Sequence, residues 1–111
     1  MSSIQETVKQ IAKSAFYILG AFKYSFNTYY RDCFWEETPQ HIKQLYYGGI
    51  YLVLSDPNNI TPKNIHDYWN EWAKIYKPNH KCLVPFEELP MFEKQKDFLF
   101  IQVVKSFLIE L

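Results

Sequence analysis

The chain has 111 residues with 12 basic and 12 acidic side chains, so its formal net charge at neutral pH is zero. Proteins that bind nucleic acid usually carry a large basic excess, and its absence argues against that class. The length fits one domain over residues 1–111, and 19% of the residues are aromatic. Rings beyond those that fill the core favour an aromatic-lined pocket or an oligomer interface.

Two features bear on where the protein resides. No uncharged run, Ser14 to Phe22 among them, is long enough to span a bilayer, and the first residues lack the compact apolar core of a signal peptide. Cys33 and Cys82 are far apart and lack metal-ligand spacing, which favours free thiols in a reducing compartment, with a single disulfide as the alternative. We therefore expect a cytoplasmic protein that does not enter a membrane.

The first predicted element is a long helix that begins at Ser3 and ends between Asn27 and Arg31. Ser3 and Glu6 have the spacing of a capping box, in which each side chain satisfies a free amide of the first turn. Alternating steps of four and three residues then predict one buried seam along the helix. Its positions are Ile4, Val8, Ile11, Ala15, Ile18, Phe22, Phe26 and Tyr29.

Thr38-Pro39 predicts the start of a second helix, with Thr38 as the cap and Pro39 in the first turn. Gly48-Gly49 in the middle of this helix predicts either a kink or the close approach of helix 1 or a ligand. Tyr51 to Leu54 has strand propensity but no partner strand, so we assign it to the helix.

Thr61-Pro62 repeats the start signal and predicts a third helix that runs to about Ile75. Leu83 to Phe86 is expected to be extended, because the residue before a proline avoids the helical region. Pro90 lies at or near the start of a fourth helix that is apolar nearly all round from Phe98 to Leu111, as in a central helix or one covered by a second copy. The predicted fold class is therefore all-α, a compact bundle of about four helices with a proline-stiffened loop before the C-terminal helix.

Three strings in the second half of the chain form a recognisable pattern. They are IHDYW at residues 65–69, HKCLVPFEELP at residues 80–90 and EKQKD at residues 93–97. In these strings, and over about residues 60–111, the chain resembles the ryanodine-receptor repeat (RyR) domain family, whereas residues 1–60 carry no motif. Two departures fall on the loop: the family's glycine-aromatic turn is missing, and Pro78 and His80 replace a His-Pro pair.

The resemblance implies a non-enzymatic helical module of the small stand-alone bacterial or phage type. Prokaryotic members of that family have been proposed to bind nucleotide-derived molecules in defence conflicts. The resemblance therefore implies a sponge, a protein that binds and sequesters a nucleotide-derived signal, with an anti-defence role in the cytoplasm of a bacterial host.

The candidate ligand site combines rings with cations. Three rings lie at i, i+3 and i+7 on one face of the third helix: Trp69, Trp72 and Tyr76. Four potential cations follow on that helix and in the next loop: Lys74, Lys77, His80 and Lys81. The rings belong either to the core or to a surface that stacks a planar base, and the cations form either a solvated loop or a phosphate clamp. Because the two groups adjoin, they favour a small nucleotide-like ligand.

No motif for catalysis or metal binding occurs. Adjacent side chains on a helix point about 100° apart, so His66 and Asp67 do not form one acid–base site, and a structural hydrogen bond is the favoured role for His66. His41, His66 and His80 lack metal-ligand spacing, and no serine or cysteine lies in a nucleophile motif. We therefore expect neither a cofactor nor an enzymatic activity.

Three functions remain in competition. The first is capture of a small nucleotide-derived ligand, in which affinity rather than turnover is the function. The second is protein–protein assembly, as a homo-oligomer or a host-factor binder without a small ligand, through the apolar surplus of the last helix. The third is nucleic-acid binding, which the zero net charge disfavours.

Overall fold

Four α-helices make up the regular structure in the computed structural model, which describes residues 3–27 and 33–108. They are α1 (Ile4–Phe26), α2 (Gln40–Ser55), α3 (Pro62–Tyr76) and α4 (Met91–Lys105). Short 3-10 turns precede α2 and α4, and no strand occurs in the described ranges. The predicted all-α bundle is confirmed, including the helical assignment of Tyr51 to Leu54.

The ends of α1 agree with its sequence signals, but its buried face differs in part from the prediction. Ser3 Oγ accepts a hydrogen bond from the Glu6 amide at 3.1 Å, and Asn27 is the C-terminal cap. The buried positions are Val8, Ile11, Ala12, Ala15, Leu19 and Gly20. Because an α-helix has 3.6 residues per turn, a face followed in steps of four and three drifts around the helix. The prediction that Ile4, Ile18 and Phe26 lie on the buried seam was therefore wrong, since all three are exposed. Tyr29 lies outside the described residues.

The two Thr-Pro pairs act differently. Thr61 caps α3 as predicted, since its Oγ1 accepts from the Asn64 amide at 3.2 Å within a capping box. Pro39, however, is the N-cap of α2, and buried Thr38 donates from Oγ1 to the Phe34 carbonyl at 3.2 Å. The prediction that Thr38 caps α2 is therefore wrong, because its hydroxyl bonds the preceding 3-10 turn.

One local structure starts both α2 and α4. It consists of a 3-10 turn of sequence aromatic-Glu-Glu, one further residue and a proline N-cap, as WEETP at residues 35–39 and FEELP at residues 86–90. In each copy, a lysine of the following helix bonds the carbonyl of the first glutamate at 3.3 Å. The Nζ atoms of these lysines, Lys43 and Lys94, also lie 5.6 and 5.4 Å from the centroid of the aromatic ring. Phe86 therefore belongs to a turn rather than to the extended segment predicted for it, and Pro90 precedes the first helical residue.

Gly48 and Gly49 make room for two rings from other helices. The Tyr68 hydroxyl donates to the Leu45 carbonyl at 2.9 Å and occupies the place of a Cβ on Gly48. A Cβ on Gly49 would lie 3.0 Å from the Phe100 ring. Since α2 continues through the pair, close approach is the correct explanation, and the approaching groups come from α3 and α4 rather than from α1.

The core lies where α1, α2 and α4 meet. Its most completely enclosed large side chains are Ile11, Ile50, Val53 and Val104. α4 is not buried all round, since Phe98 is 54% exposed, and it ends at Lys105; residues 109–111 lie outside the described part of the chain. No helix within the described ranges is long and apolar enough to cross a membrane.

Candidate ligand-binding cavity

A cavity of about 370 Å³ is bordered by all four helices and by the loop between α3 and α4. Six aromatic side chains line it: Phe16, Tyr46, Tyr68, Trp69, Trp72 and Phe100. The charged and imidazole groups in its wall are Lys23, His66, Lys77, His80, Glu93, Lys96 and Asp97. Small-molecule sites are typically cavities of roughly 300–1,000 Å³ with apolar walls and a few convergent polar groups, and this cavity has those properties.

His66 fixes the α3–α4 loop over the cavity. Its Nε2 lies 2.7 Å from the Val84 carbonyl oxygen, and Asn70 Nδ2 donates to the same oxygen at 3.1 Å. A carbonyl oxygen only accepts, so Nε2 carries a proton and donates it to Val84. The side chain is 4% exposed, and its predicted role as a structural hydrogen-bonding histidine is confirmed.

Trp69 is held between two imidazole rings. The His66 ring stacks on it at 5.6 Å with an interplanar angle of 16°, and the His80 ring meets it at 5.0 Å and 76°. His80 is fixed in turn, because its Nδ1 accepts from the Cys82 amide at 3.0 Å. Partial burial, with nearby Lys77 adding to the effect, holds the pKa of His80 below its usual value, so the ring is uncharged at neutral pH. Trp69 therefore gives the cavity a preordered aromatic wall.

Trp72 is fixed by a second aromatic group. Its Nε1 donates to the His41 carbonyl at 3.1 Å, and the two rings stack at 5.9 Å. His41 also stacks on Tyr76 at 4.8 Å. The indole N–H of Trp72 is thus bonded to the backbone of α2, and the side chain is one of those that line the cavity.

Asp97 is a carboxyl group in unusual surroundings. Its side chain is 18% exposed and lines the cavity, and no described residue donates a hydrogen bond to it. Its Oδ2 lies 4.0 Å from His66 Nδ1, which is too far for a hydrogen bond. Burial raises the pKa of Asp97 to about 7, although Lys96 acts in the opposite direction. A carboxyl group that is partly protonated at neutral pH, in a cavity, is a candidate functional group.

Both cysteines are free thiols, in agreement with the first of the two sequence interpretations. Cys33 is exposed and Cys82 is buried in the cavity wall, where burial raises the pKa of its thiol. No group of three or more His, Cys, Asp or Glu residues in the described ranges could hold a metal ion.

A family model described as "Domain of unknown function (DUF7701)" matches residues 33–108, which is more than half of the chain. The chain belongs to the DUF7701 family. No curated protein and no solved structure matches it. The DUF7701 match covers the cavity residues of α2, α3, the loop and α4, whereas the contribution of α1 lies outside it: Phe16, Leu19 and Lys23.

The resemblance to the RyR family is wrong, because the family model that matches the chain is that of DUF7701, over residues 33–108. The string that carried the resemblance, LVPFEELP at residues 83–90, has a local explanation. Its FEELP part forms the same turn and proline cap as WEETP at residues 35–39, so it specifies the start of a helix rather than a family. The phage origin and the anti-defence role were implied by the resemblance and have no remaining support.

Four of the residues predicted from the sequence line the DUF7701 cavity: Trp69, Trp72, Lys77 and His80. The other three are exposed and lie outside its wall: Lys74, Tyr76 and Lys81. Lys74 pairs with Glu71 at 3.3 Å on its own helix, and Tyr76 packs on His41. The structure therefore does not bring the four predicted cations together at one place.

Sequence reasoning missed Asp97 and two cavity lysines, Lys23 and Lys96. A signal for Asp97 was present, because Asp97, Phe100 and Val104 have i, i+3 and i+7 spacing and share one face of α4. A carboxylate in line with core positions of a helix is the pattern that would have found it. The lysines gave no such signal, since lysine is common on any exposed helix face.

Proposed function

We propose that this DUF7701 protein binds a small planar molecule in the cavity between its helices, without catalysis. The observation that carries the proposal is one cavity of about 370 Å³ lined by aromatic rings and by the carboxyl group of Asp97, to which no described residue donates a hydrogen bond. Nucleotide-derived molecules are the first ligand class to test. They offer a planar base to the rings and an anionic group to Lys77, which is exposed and lines the cavity.

The fixed positions of the aromatic rings favour a role in ligand binding over the alternative that the rings only fill the core. Stacking of a base on an aromatic side chain contributes about 1–3 kcal/mol. Trp69 is already held by His66 and His80, and Trp72 by His41. Ligand binding therefore loses little side-chain conformational entropy at these two rings. The Cys82 thiol has a raised pKa and is therefore a poor nucleophile at neutral pH, which fits a binding role.

Calorimetric titration at neutral pH with nucleobases, nucleosides, mononucleotides and cyclic nucleotides tests the proposal. We expect at least one class to bind in saturable fashion. If the ligand carries a phosphate, Lys77→Ala should weaken binding by up to about fivefold, the order of one exposed charge contact. Lys81→Ala is the matched control and should bind normally, because Lys81 lies outside the cavity wall. Folded protein that binds no member of the panel would contradict the proposal.

A separate observation favours a second candidate function, self-association. Three phenylalanines of α1 and α4 pack against one another with ring centroids 4.8 to 5.3 Å apart: Phe22, Phe26 and Phe92. Phe26 is 62% exposed and neighbouring Met91 is 65% exposed, so apolar surface is open to solvent here. Light scattering should detect a concentration-dependent oligomer that Phe26→Ser abolishes and Phe98→Ser, an exposed control on α4, does not. A monomer at every concentration would exclude this function.

A further inference from the structure

We propose that Asp97 selects a nitrogen heterocycle that carries an amino group next to a ring nitrogen. The inference rests on the proposed function, because it names the part of the ligand that the cavity would recognise. It is carried by the placement of Asp97 in the aromatic-lined cavity, with His66 Nδ1 4.0 Å from its Oδ2.

The carboxyl group of Asp97 lacks a hydrogen-bond partner within the described part of the chain. Its side chain is 18% exposed, and His66 Nδ1 on α3 lies 4.0 Å from its Oδ2. A ligand that fills the cavity would displace the water that reaches this carboxyl group and must supply a hydrogen bond in its place. Asp97 is therefore a recognition group for such a ligand.

His66 does not satisfy Asp97, for a structural reason. His66 Nε2 is engaged by the Val84 carbonyl, and its Nδ1 lies 4.0 Å from Asp97 Oδ2, beyond hydrogen-bonding distance. Lys96, the nearest cation on α4, is engaged with Glu93 at 2.7 Å. Asp97 is therefore left to hydrogen-bond a molecule in the cavity.

A protonated carboxyl group has a distinctive pairing pattern. It offers an O–H donor and a carbonyl acceptor side by side, and an amino group next to a ring nitrogen offers the complementary acceptor and donor. An asparagine amide presents the same pattern and pairs with adenine in this way. An ionised carboxylate has only acceptors, so it makes one of the two bonds. Recognition of this ligand edge therefore requires the proton.

This requirement predicts how affinity depends on pH. Burial raises the pKa of Asp97 to about 7, so above that pH the free protein must take up a proton to form the pair. Affinity should then fall by up to about tenfold per pH unit. The titratable and charged groups that face the cavity with Asp97 are Lys23 from α1, Tyr46 from α2, His66 and Tyr68 from α3, Lys77, His80 and Cys82 from the loop, and Glu93 and Lys96 from α4.

Calorimetry with matched pairs of heterocycles tests the inference. The pairs are 9-methyladenine with 9-methylpurine and 2-aminopyrimidine with pyrimidine, each differing only in the amino group. The wild-type protein should prefer the amino compound by about tenfold or more, the order expected for a bidentate pair. Asp97→Asn should keep the preference and lose the fall in affinity above about pH 7, whereas Asp97→Leu should lose the preference.

The outcomes separate this inference from the proposed function. Binding of both members of each pair with equal affinity would overturn the role of Asp97 and leave the cavity as a ligand site. An Asp97→Asn protein with an unchanged pH profile would also overturn it. Absence of binding by every compound would overturn both proposals. If either variant fails to fold, the preference and pH profile of the wild-type protein decide the question on their own.

Discussion

The Nε2 atom of His66 lies 2.7 Å from the carbonyl oxygen of Val84, 18 residues further along the chain. This bond ties α3 to the loop before α4 and fixes a proton on Nε2 of the ring that faces Asp97. It thereby links the fold to the proposed chemistry of the cavity, since the loop it holds carries His80 and Leu89 into the cavity wall.

The shared carbonyl predicts a non-additive pair of substitutions. His66→Phe should lower the free energy of unfolding by about 1–2 kcal/mol, because Val84 keeps only the bond from Asn70. Asn70→Leu should have a smaller effect, since it also removes an Oδ1 atom that is buried without a partner among the described residues. The double variant leaves the Val84 carbonyl without either side-chain donor. It should therefore lower the free energy of unfolding, measured by urea denaturation, by more than the sum of the two single substitutions. Simple additivity would show that the two donors do not act on one acceptor.

A second prediction concerns the close approach of α3 to α2. Gly48→Ala places a methyl group against the Tyr68 hydroxyl, and overpacking of this kind costs about 1–3 kcal/mol. The gain in helix propensity from Ala offsets this by about 1 kcal/mol. The substitution should be less harmful in a Tyr68→Phe background, where the hydroxyl is absent. Equal effects in the two backgrounds, measured by urea denaturation, would rule out this contact as the reason for the glycine.

The raised pKa of Asp97 predicts how stability depends on pH. Between about 4 and about 7 the folded protein holds a proton on Asp97 that the unfolded chain releases, so the stability from this group is present in acid and is lost as the pH rises to about 7. Its slope is at most about 1.4 kcal/mol per pH unit. Asp97→Asn removes the titrating carboxyl group and with it this pH dependence. The variant should therefore gain stability relative to wild type as the pH rises through this range. A difference between the two proteins that is constant with pH would contradict the assignment.

The start of α3 gives a fourth prediction. Thr61→Ala removes the Oγ1 that accepts from the Asn64 amide and should lower the free energy of unfolding by about 1 kcal/mol. Thr61→Ser keeps the acceptor and should restore most of the loss in thermal unfolding. If serine is no better than alanine, the hydroxyl is not the stabilising group.

Much of the fold was predictable because it is encoded locally. Caps at Ser3 and Thr61 and apolar periodicity predicted where the helices occur. The prediction that Thr38 caps α2 failed for a physical reason. The hydroxyl of a residue before proline can bond the preceding turn, as Thr38 does at the Phe34 carbonyl, as well as the first turn of the following helix. The wall of the cavity was only partly predictable, because Lys23 and Asp97 are brought together by helix packing and not by any spacing in the sequence.

Nuclear magnetic resonance of the three tryptophan indole N–H groups tests the central claim most directly. Trp69 and Trp72 line the cavity, whereas Trp35 is buried in the core outside its wall and is an internal control. Titration with 9-methyladenine should shift the signals of Trp69 and Trp72 and leave that of Trp35 in place, with each signal assigned by a Trp→Phe variant. A titration that leaves Trp69 and Trp72 unchanged, or that moves Trp35 alone, would contradict the assignment of the cavity as the ligand site.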